Sequence, residues 1–256
     1  FYGESGGQIG DRGVVSSEDA EIVITNVIRK NNVFIHIGIV EKGELHIDDE
    51  VVTQVDAPCR LRAQSNHTAT HLLQSALKLV VNPSVGQRGS LVAFDKLRFD
   101  FNSPSVIDSE QIQQMENLIN QWISEDHRVE LKSLPINEAL EAGALAMFGE
   151  KYGDVVRVVD VSGVSMELCG GTHVSSTSQL GAFKIINEIG IAAGIRRIEA
   201  IAGPAVLDYL NERDSIVKEL SQCFKSQPNE IVDRVLSLQN EVKETNRELL
   251  KIQKEL

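Results

Sequence analysis

Cysteines and long apolar runs are scarce in this sequence, and each shortage excludes a class of protein. The 256 residues contain three cysteines, Cys59, Cys169 and Cys223. Such an odd, widely spaced set does not suit a disulfide framework and favours a reducing compartment, with the cytoplasm as the default. No apolar run reaches the ~18 residues of a membrane helix, so we expect no membrane partner. The hydrophobic content of 42% is still sufficient to bury a core.

Positive charge is also in short supply. The 25 lysines and arginines are outnumbered by 37 aspartates and glutamates, which gives a net charge of -12. Because nucleic-acid binding normally leaves a basic footprint, no general affinity for nucleic acid is predicted. Residues 1–60 account for half of the excess, with 5 basic and 11 acidic residues. A local basic segment, GIRRIEA, contains Arg196.

Hydrophobic periodicity divides the chain into three predicted units, and the fold class is α+β. Residues 1–60 alternate like strands, with a hairpin turn at Asn31–Asn32, and predict a small β-barrel-like unit with a glycine-rich loop. Residues 61–203 mix helices and strands in an α+β domain. Residues 204–256 are predicted to be helical throughout, because Gly203 and Pro204 end the last strand and Pro suits a first helical turn.

The pattern also places individual elements. The predicted elements after the hairpin are a strand at EVVTQVD, helices at His67–Val81, Ser109–His127 and Pro135–Ala142, and strands at Val155–Val161, Ala182–Glu188 and Ile195–Ala202. The chain opens at Phe1 rather than methionine and shows no signal-peptide pattern. We therefore expect an internal piece of a longer polypeptide.

The C-terminal unit carries a heptad seam. Its positions alternate in steps of four and three, and seven of the eight are apolar: Ile231, Val235, Leu238, Val242, Thr245, Leu249, Ile252 and Leu256. This spacing predicts a coiled coil that forms a homodimer, or a helical hairpin with residues 205–225. The alternative is an ordinary amphipathic helix on a globular body.

Two histidines stand four residues apart in the segment HTATH, His67 to His71. At ~100° per residue, both fall on the helix face opposite the aliphatic residues, together with Gln74. The aliphatic face supplies the core, so a core role for the histidines is not expected. They are either exposed or half of a metal site, and the pair alone does not decide between these.

The segment CGGTH supplies a second half-site through Cys169 and His173. Its two glycines can adopt positive φ and bring both side chains to one point. Three imidazole nitrogens and one thiolate sulfur select zinc over magnesium or calcium, whose ligands are oxygens. We predict one Zn2+ per chain, bound by His67, His71, Cys169 and His173.

Four segments in combination resemble the editing region of alanyl-tRNA synthetases: FYGESGGQIGDRG, NHTATHLLQSALK, GQRGSLVAFDKLRFDF and CGGTHV. Ser5 replaces the first glycine of the family's G-G-G-Q pattern, and Gly6, Gly7 and Gln8 are intact. The resemblance implies hydrolysis of serine or glycine wrongly attached to tRNA(Ala), with the acceptor end of that tRNA as partner. It also implies that the full-length enzyme attaches alanine with ATP and Mg2+, in a domain outside this chain.

The resemblance points to further site residues. Gln87 matches a polar position that faces the substrate, and Gln8 is a second candidate for the catalytic pocket. Gly6, Gly7 and Arg196 are candidates for substrate contact. Four protein ligands describe a closed structural zinc centre, whereas a catalytic zinc usually keeps one position open. Zinc therefore either exchanges a ligand or orders the pocket.

Other functions are open at this point. A threonyl-type or free-standing trans-editing deacylase shares the two metal motifs, and tRNA preference distinguishes it. A non-catalytic, zinc-stapled tRNA-binding module would use the same ligands for folding alone. It would not need a polar pocket residue such as Gln87. The letters G-x-S-x-G occur in GESGG at Gly3–Gly7, in the glycine-rich loop rather than at a strand-to-helix turn, so an acyl-enzyme route has little support. No P-loop is present, so ATP binding by this chain has little support either.

Overall fold

The computed structural model describes residues 1–31, 33–146 and 152–255, which form α-helices and antiparallel sheets. By its contacts the chain divides into two compact units, Phe1–Val206 and Leu207–Leu256. The boundary predicted at residue 60 lies inside a helix, and the boundary predicted at residue 203 lies close to the observed one. None of the described helices is long and apolar enough to cross a lipid bilayer.

The first sheet contains β1 (Gly13–Ser16), β2 (Glu21–Lys30), β3 (Val33–Lys42) and β4 (Val52–Val55) in the order β3-β2-β1-β4. The predicted hairpin is present, because β2 and β3 pair antiparallel from Glu21–Lys42 to Lys30–Val33. Asn31 has the left-handed φ of 50° expected of a turn residue. Asn32 lies outside the described residues. The strands pair as an open sheet with β3 and β4 at its edges, so closure into a barrel is not shown.

Helix α1 (Ala57–Val80) begins ten residues before the predicted start. Its N-cap is Asp56, whose side chain accepts a hydrogen bond from the Cys59 backbone N–H at 2.9 Å. A proline in the first turn completes a standard start signal. The helix is buried on both the aliphatic and the polar face, which makes it the central element of the first unit.

The second sheet contains β5 (Gln87–Val92), β6 (Leu97–Asn102), β10 (Phe183–Ala192) and β11 (Ile195–Ala202) in the order β10-β11-β6-β5. Helix α1 packs against this sheet and against α2 (Ser109–Ser124), whose N-terminus has a capping box at Asp108. The largest fully buried side chains of this core include Phe99, Phe101, Leu72, Leu73 and Ile198. Each contributes about 1.5–3 kcal/mol by leaving water.

The third sheet is smaller, with β7 (Val129–Pro135), β8 (Val155–Val161) and β9 (Ser165–Leu168) in the order β7-β8-β9. Helix α3 (Ile136–Glu141) packs against β7 and β8. The predicted strand at Val155–Val161 matches β8, whereas the short strand β9 was not predicted. Strand β9 leads directly into the CGGTH segment, so this sheet positions one half of the candidate metal site.

The second unit contains helix α4 from its fourth residue and helix α5. Helix α4 spans Pro204–Phe224, after Gly203 as predicted, and α5 spans Ile231–Glu255. Of the heptad seam, Ile231 is buried, whereas Val242, Leu249 and Ile252 are 51–59% exposed. Leu256 lies outside the described residues. A coiled coil is not shown, and self-association through this seam stays a prediction.

Candidate metal centre

The four predicted ligands meet at one point in the structure. One ligand atom from each of His67, His71, Cys169 and His173 lies within 4.8 Å of all the others. Cys169 Sγ is 3.3 Å from His67 Nε2 and 3.4 Å from His173 Nε2. Helix α1 supplies two ligands one turn apart, and the segment after β9 brings the other two from about a hundred residues away.

The histidines are buried, which corrects the idea that the polar face of α1 is exposed. His67, His71 and His173 are each 4–6% exposed, and their ring centroids lie 4.3–5.4 Å apart. Three imidazoles this close have no ordinary packing reason, because each buried ring nitrogen needs a polar partner. A shared metal ion satisfies all three.

Each imidazole has an oxygen opposite its Nδ1 atom. His67 Nδ1 lies 2.7 Å from Gln8 Oε1, and His173 Nδ1 lies 3.1 Å from Thr68 Oγ1. His71 Nδ1 lies 3.7 Å from Glu167 Oε1, beyond hydrogen-bond distance. Oxygen acceptors behind the ring are typical of zinc-binding histidines, because they fix the tautomer and leave Nε2 for the metal.

The electrostatics of the cluster also suit a metal. Burial opposes ionisation of the Cys169 thiol, but His67 and His173 hold its pKa well below the usual range. Burial lowers the pKa of His173 to about 3, so this imidazole is neutral. For His71, burial is outweighed by the Glu167 carboxylate and Cys169, which raise its pKa to about 9. Zinc binds a thiolate and neutral imidazoles, so Cys169 and His173 are in their ligand forms, and His71 would release a proton when the metal binds.

The donor set therefore fits zinc on the chemistry of its atoms, with three imidazole nitrogens and one sulfur in a closed group of four. Hard cations such as Mg2+ and Ca2+ take oxygen ligands, and this group offers none. Glu167 stands behind His71 rather than among the ligand atoms.

The glycines of CGGTH act differently from the prediction. Neither Gly170 nor Gly171 has a positive φ. Instead, a methyl group at Gly171 would overlap the imidazole ring of His67 and lie 2.9 Å from Gln8 Oε1. Gly171 is thus required by close packing against a ligand. The neighbouring backbone is held by Arg157, which donates to the carbonyl oxygens of Cys169, at 3.0 Å, and of Gly171.

The metal cluster forms one wall of a pocket of about 180 Å³. Besides His67, His71 and Cys169, the lining includes glycines 6, 170 and 171 and the side chains of Tyr2, Ser5, Thr70, Gln87, Ser90 and Glu167. This small polar cavity is referred to below as the metal pocket. Its size suits an amino acid with a short side chain and not a bulky one.

Gln87 lies at the start of β5, half-buried, and its Nε2 donates to Ser90 Oγ at 3.1 Å. Gln87 is among the residues that line the metal pocket, and its contact with a substrate stays a prediction. Gly6 also lines the pocket, with φ 57°. Gly7 has φ 83° and no room for a side chain, because a methyl group there would lie 2.6 Å from Ser90 Oγ. The predicted glycine turn therefore contacts the pocket wall.

Gln8 and Arg196 have other roles in the structure. Gln8 is fully buried behind His67, and it accepts from Thr172 N–H and donates to Thr172 Oγ1, both at 2.8 Å. It holds a ligand and the CGGTH backbone together and is not part of the pocket lining. Arg196 forms a two-contact ion pair with Glu188 on the neighbouring strand, with one contact at 2.8 Å, and is also absent from the lining.

Sequence reasoning assigned no role at the site to the polar lining residues Tyr2, Ser5, Thr70, Ser90 and Glu167. Burial raises the pKa of Tyr2 to about 12, and its hydroxyl donates to the Ser5 carbonyl at 2.9 Å. Thr70 donates to the Asn66 carbonyl at 2.8 Å within α1. Thr70 could have been found because it lies between the two histidines of HTATH. Tyr2 and Glu167 give no such signal, since only the fold brings them to the pocket.

Comparison with protein-family models identifies two matching segments. Residues 1–59 match the model described as "tRNA synthetases class II (A)". Residues 156–199, which include Cys169 and His173, match the model described as "Threonyl and Alanyl tRNA synthetase second additional domain". Both segments fall within the first compact unit.

Whole-chain relatives are named alanine–tRNA ligase. One from Prochlorococcus marinus is 64% identical over 256 residues, covering 100% of this chain and 29% of its own length. One from Synechococcus sp. is 62% identical over 249 residues, 97% of this chain and 28% of its own. One from Parasynechococcus marenigrum is 61% identical over 255 residues, with shares of 100% and 29%. The resemblance found in the motifs is confirmed, and the chain spans less than a third of the length of these relatives.

Proposed function

We propose that this chain, which is similar to alanine–tRNA ligases along its whole length, carries the editing site of such a ligase. In this proposal it hydrolyses serine and glycine wrongly esterified to tRNA(Ala), whose acceptor end enters the metal pocket. The observation that carries the proposal is a four-ligand zinc group in the wall of a small polar cavity. The ATP- and Mg2+-dependent attachment of alanine would then belong to parts of the full-length enzyme outside this chain.

A second site is chemically necessary for an enzyme that selects alanine. A pocket shaped for a methyl side chain cannot exclude the smaller glycine, and it rejects an added hydroxyl by only about 10²-fold. Unlike a pocket shaped for a methyl group, the metal pocket is lined by residues with hydroxyl or amide groups, Thr70, Gln87 and Ser90. Serine can hydrogen-bond to such groups, and glycine leaves space for a water that does the same. The methyl group of alanine can add no such hydrogen bond, and one hydrogen bond to an uncharged group is worth about 1 kcal/mol.

Hydrolysis of an aminoacyl ester requires an activated water and stabilisation of the developing oxyanion. Bound zinc would supply positive charge beside the ester. The protein side chains set the geometry: Gln8, Thr68 and Glu167 stand behind the imidazoles, and Gln87 presents its amide to the cavity. With four protein ligands the group matches a closed structural centre, so we assign zinc to ordering the pocket and placing the aminoacyl end.

The decisive experiment compares release of serine from Ser-tRNA(Ala), glycine from Gly-tRNA(Ala) and alanine from Ala-tRNA(Ala) by the 256-residue chain. We expect zinc near one per chain and hydrolysis of the first two esters ahead of the third. Cys169→Ala should lower zinc content and hydrolysis together, because the thiolate is a ligand and site geometry depends on the metal. Cys223→Ala is the matched control, since this cysteine is exposed and unpaired.

Three results would contradict the proposal in different ways. Hydrolysis that persists in Cys169→Ala with zinc absent would show that zinc is not needed to order the pocket. Preference for tRNA(Thr) would favour a threonyl-type editor. Binding of tRNA without release of any amino acid would show that the chain is a non-catalytic, zinc-stapled tRNA-binding module.

A further inference from the structure

A second cavity lies beside the metal pocket and shares two lining residues with it. It encloses about 130 Å³, and both cavities include Gln87 and Glu167 in their walls. The basic residues Lys78 and Arg88 line only the second cavity, which we call the basic groove. The shared residues make the basic groove a continuation of the metal pocket.

Helix α1 connects the two cavities along one face. His71, Gln74 and Lys78 follow each other in steps of three and four residues, which places them on the same side of a helix. His71 belongs to the metal pocket, and Gln74 and Lys78 belong to the basic groove. At ~1.5 Å of rise per residue, Lys78 stands about 10 Å along the helix from His71. The basic end of this face therefore lies about two helical turns from His71.

The charges of the basic groove are not neutralised within the described residues. Lys78 and Arg88 form no ion pair with any residue that the structure describes, whereas Arg196 and Arg197 on β11 are each paired with a carboxylate. Both cations line one cavity, so the groove offers positive charge to an anionic ligand.

Among the described residues, one carboxylate, that of Glu167, also lines the groove. Glu167 is only 7% exposed, accepts a hydrogen bond from Ser165 Oγ at 2.8 Å and faces His71. Its charge therefore acts mainly on the metal cluster. Repulsion of an anion held by the more exposed Lys78 and Arg88 is correspondingly weaker.

We propose that the basic groove binds the phosphodiester at the 3′ end of an RNA, with Lys78 and Arg88 contacting the phosphate while the esterified amino acid occupies the metal pocket. This inference rests on the proposed function. If the aminoacyl ester on the last ribose lies in the metal pocket, the nearest phosphate is separated from the ester by that one ribose. Phosphate contacts position a nucleic acid without reading its sequence. The groove thus sets the reach of the acceptor end into the pocket.

Binding of uncharged tRNA(Ala) tests the groove without relying on hydrolysis. The double variant Lys78→Ala/Arg88→Ala is compared with the unchanged chain on tRNA(Ala) with and without its terminal CCA nucleotides. We expect the variant to bind the complete tRNA more weakly, and the slope of log affinity against log salt to fall by about 0.7, the value for one single-strand phosphate. On tRNA lacking CCA, the variant and the unchanged chain should bind with equal affinity. The protein substitutions and the removal of CCA then form a double-mutant cycle in which the two changes are coupled.

Lys30→Ala/Lys42→Ala is the matched control, because both lysines are exposed strand residues outside the two cavities. Equal loss of affinity on both tRNAs, or a salt slope equal to that of the control, would overturn the proposal. Loss of zinc in the Lys78 and Arg88 variant would overturn it as well, since the residues would then support the fold. If CCA-dependent binding is seen but Ser-tRNA(Ala) is not hydrolysed, the proposed function fails and the groove stands as a phosphate site.

Discussion

Helices α1 and α5 are nearly equal in length, with 24 and 25 residues, and differ sharply in burial. Thirteen residues of α1 are buried, including its two histidines. In α5 the first residue, Ile231, is buried, and the following seam positions Val242, Leu249 and Ile252 are exposed. Both helices have an apolar repeat in the sequence, so the repeat does not show whether a helix has a partner.

Helix α1 is more buried than α5 because both of its faces are covered. The aliphatic face of α1 packs into the core through residues such as Leu72 and Leu73. Its polar face is covered by the CGGTH segment, which is attached to the helix through the metal group and through Gln64, whose Nε2 donates to the His173 carbonyl at 2.9 Å. A polar helix face can therefore be buried when ligands and hydrogen bonds satisfy its side chains.

The largest effect is expected from matched leucine truncations in the two helices. Leu73→Ala removes a fully buried side chain and should lower the free energy of unfolding by about 2–5 kcal/mol. Leu249→Ala removes a half-exposed one and should change it by less than about 0.5 kcal/mol. Urea denaturation of both variants measures the two values. Similar losses in both would show that α5 has a covered face in solution and would remove the contrast.

Substitution of Gln8 should have the next largest effect, and the property that changes should be zinc affinity. Gln8→Ala removes the oxygen behind His67 Nδ1 and the two contacts to Thr172, which should lower zinc affinity about 10–100-fold. Competition with a chelator of known affinity measures the change. Gln114→Ala on the exposed side of α2 is the control. Unchanged zinc affinity in Gln8→Ala would mean that the polar face of α1 is held by packing rather than by these contacts.

Much of the fold and the ligand set could be predicted from local patterns. The hairpin, strands β8 and β11 and the start of α4 lie where alternation and the Gly203–Pro204 stop placed them. Each half-site could be recognised because its two ligands lie four residues apart, and the fold brings the two half-sites together. The start of α1 was missed although Asp56 and the following proline are local signals.

The rest depended on contacts between distant segments. Gly171 is needed because His67 packs against it, and Gln8 supports His67 from the other end of the unit. Glu167 reaches His71 through the pairing of β9. No periodicity or spacing in one segment encodes such contacts. For the same reason the histidine pair of HTATH did not by itself decide between an exposed and a metal-binding role, because the residues that cover it lie about a hundred positions away.

A smaller effect is expected at the pocket itself. Gln87→Ala should leave zinc content and unfolding unchanged and slow release of serine from Ser-tRNA(Ala) roughly five-fold, since one hydrogen bond to an uncharged group is worth about 1 kcal/mol. Gln239→Ala on α5 is the control, because that side chain is exposed. If Gln87→Ala loses zinc to the same extent as it loses hydrolysis, Gln87 supports the metal group and does not contact the substrate.

The smallest effect on the first unit should come from removing the second one. A chain ending at Val206 keeps all four ligands and the residues behind them, and Val206 itself, which is buried, is retained. We expect its zinc content to be unchanged and its free energy of unfolding to shift by less than about 0.5 kcal/mol, as for surface changes. If α5 pairs through its seam, sedimentation should show self-association of the 256-residue chain and a monomer after truncation. Loss of zinc or of folding on truncation would mean that α4 and α5 belong to the core. The contrast between a buried α1 and an exposed α5 would then be wrong.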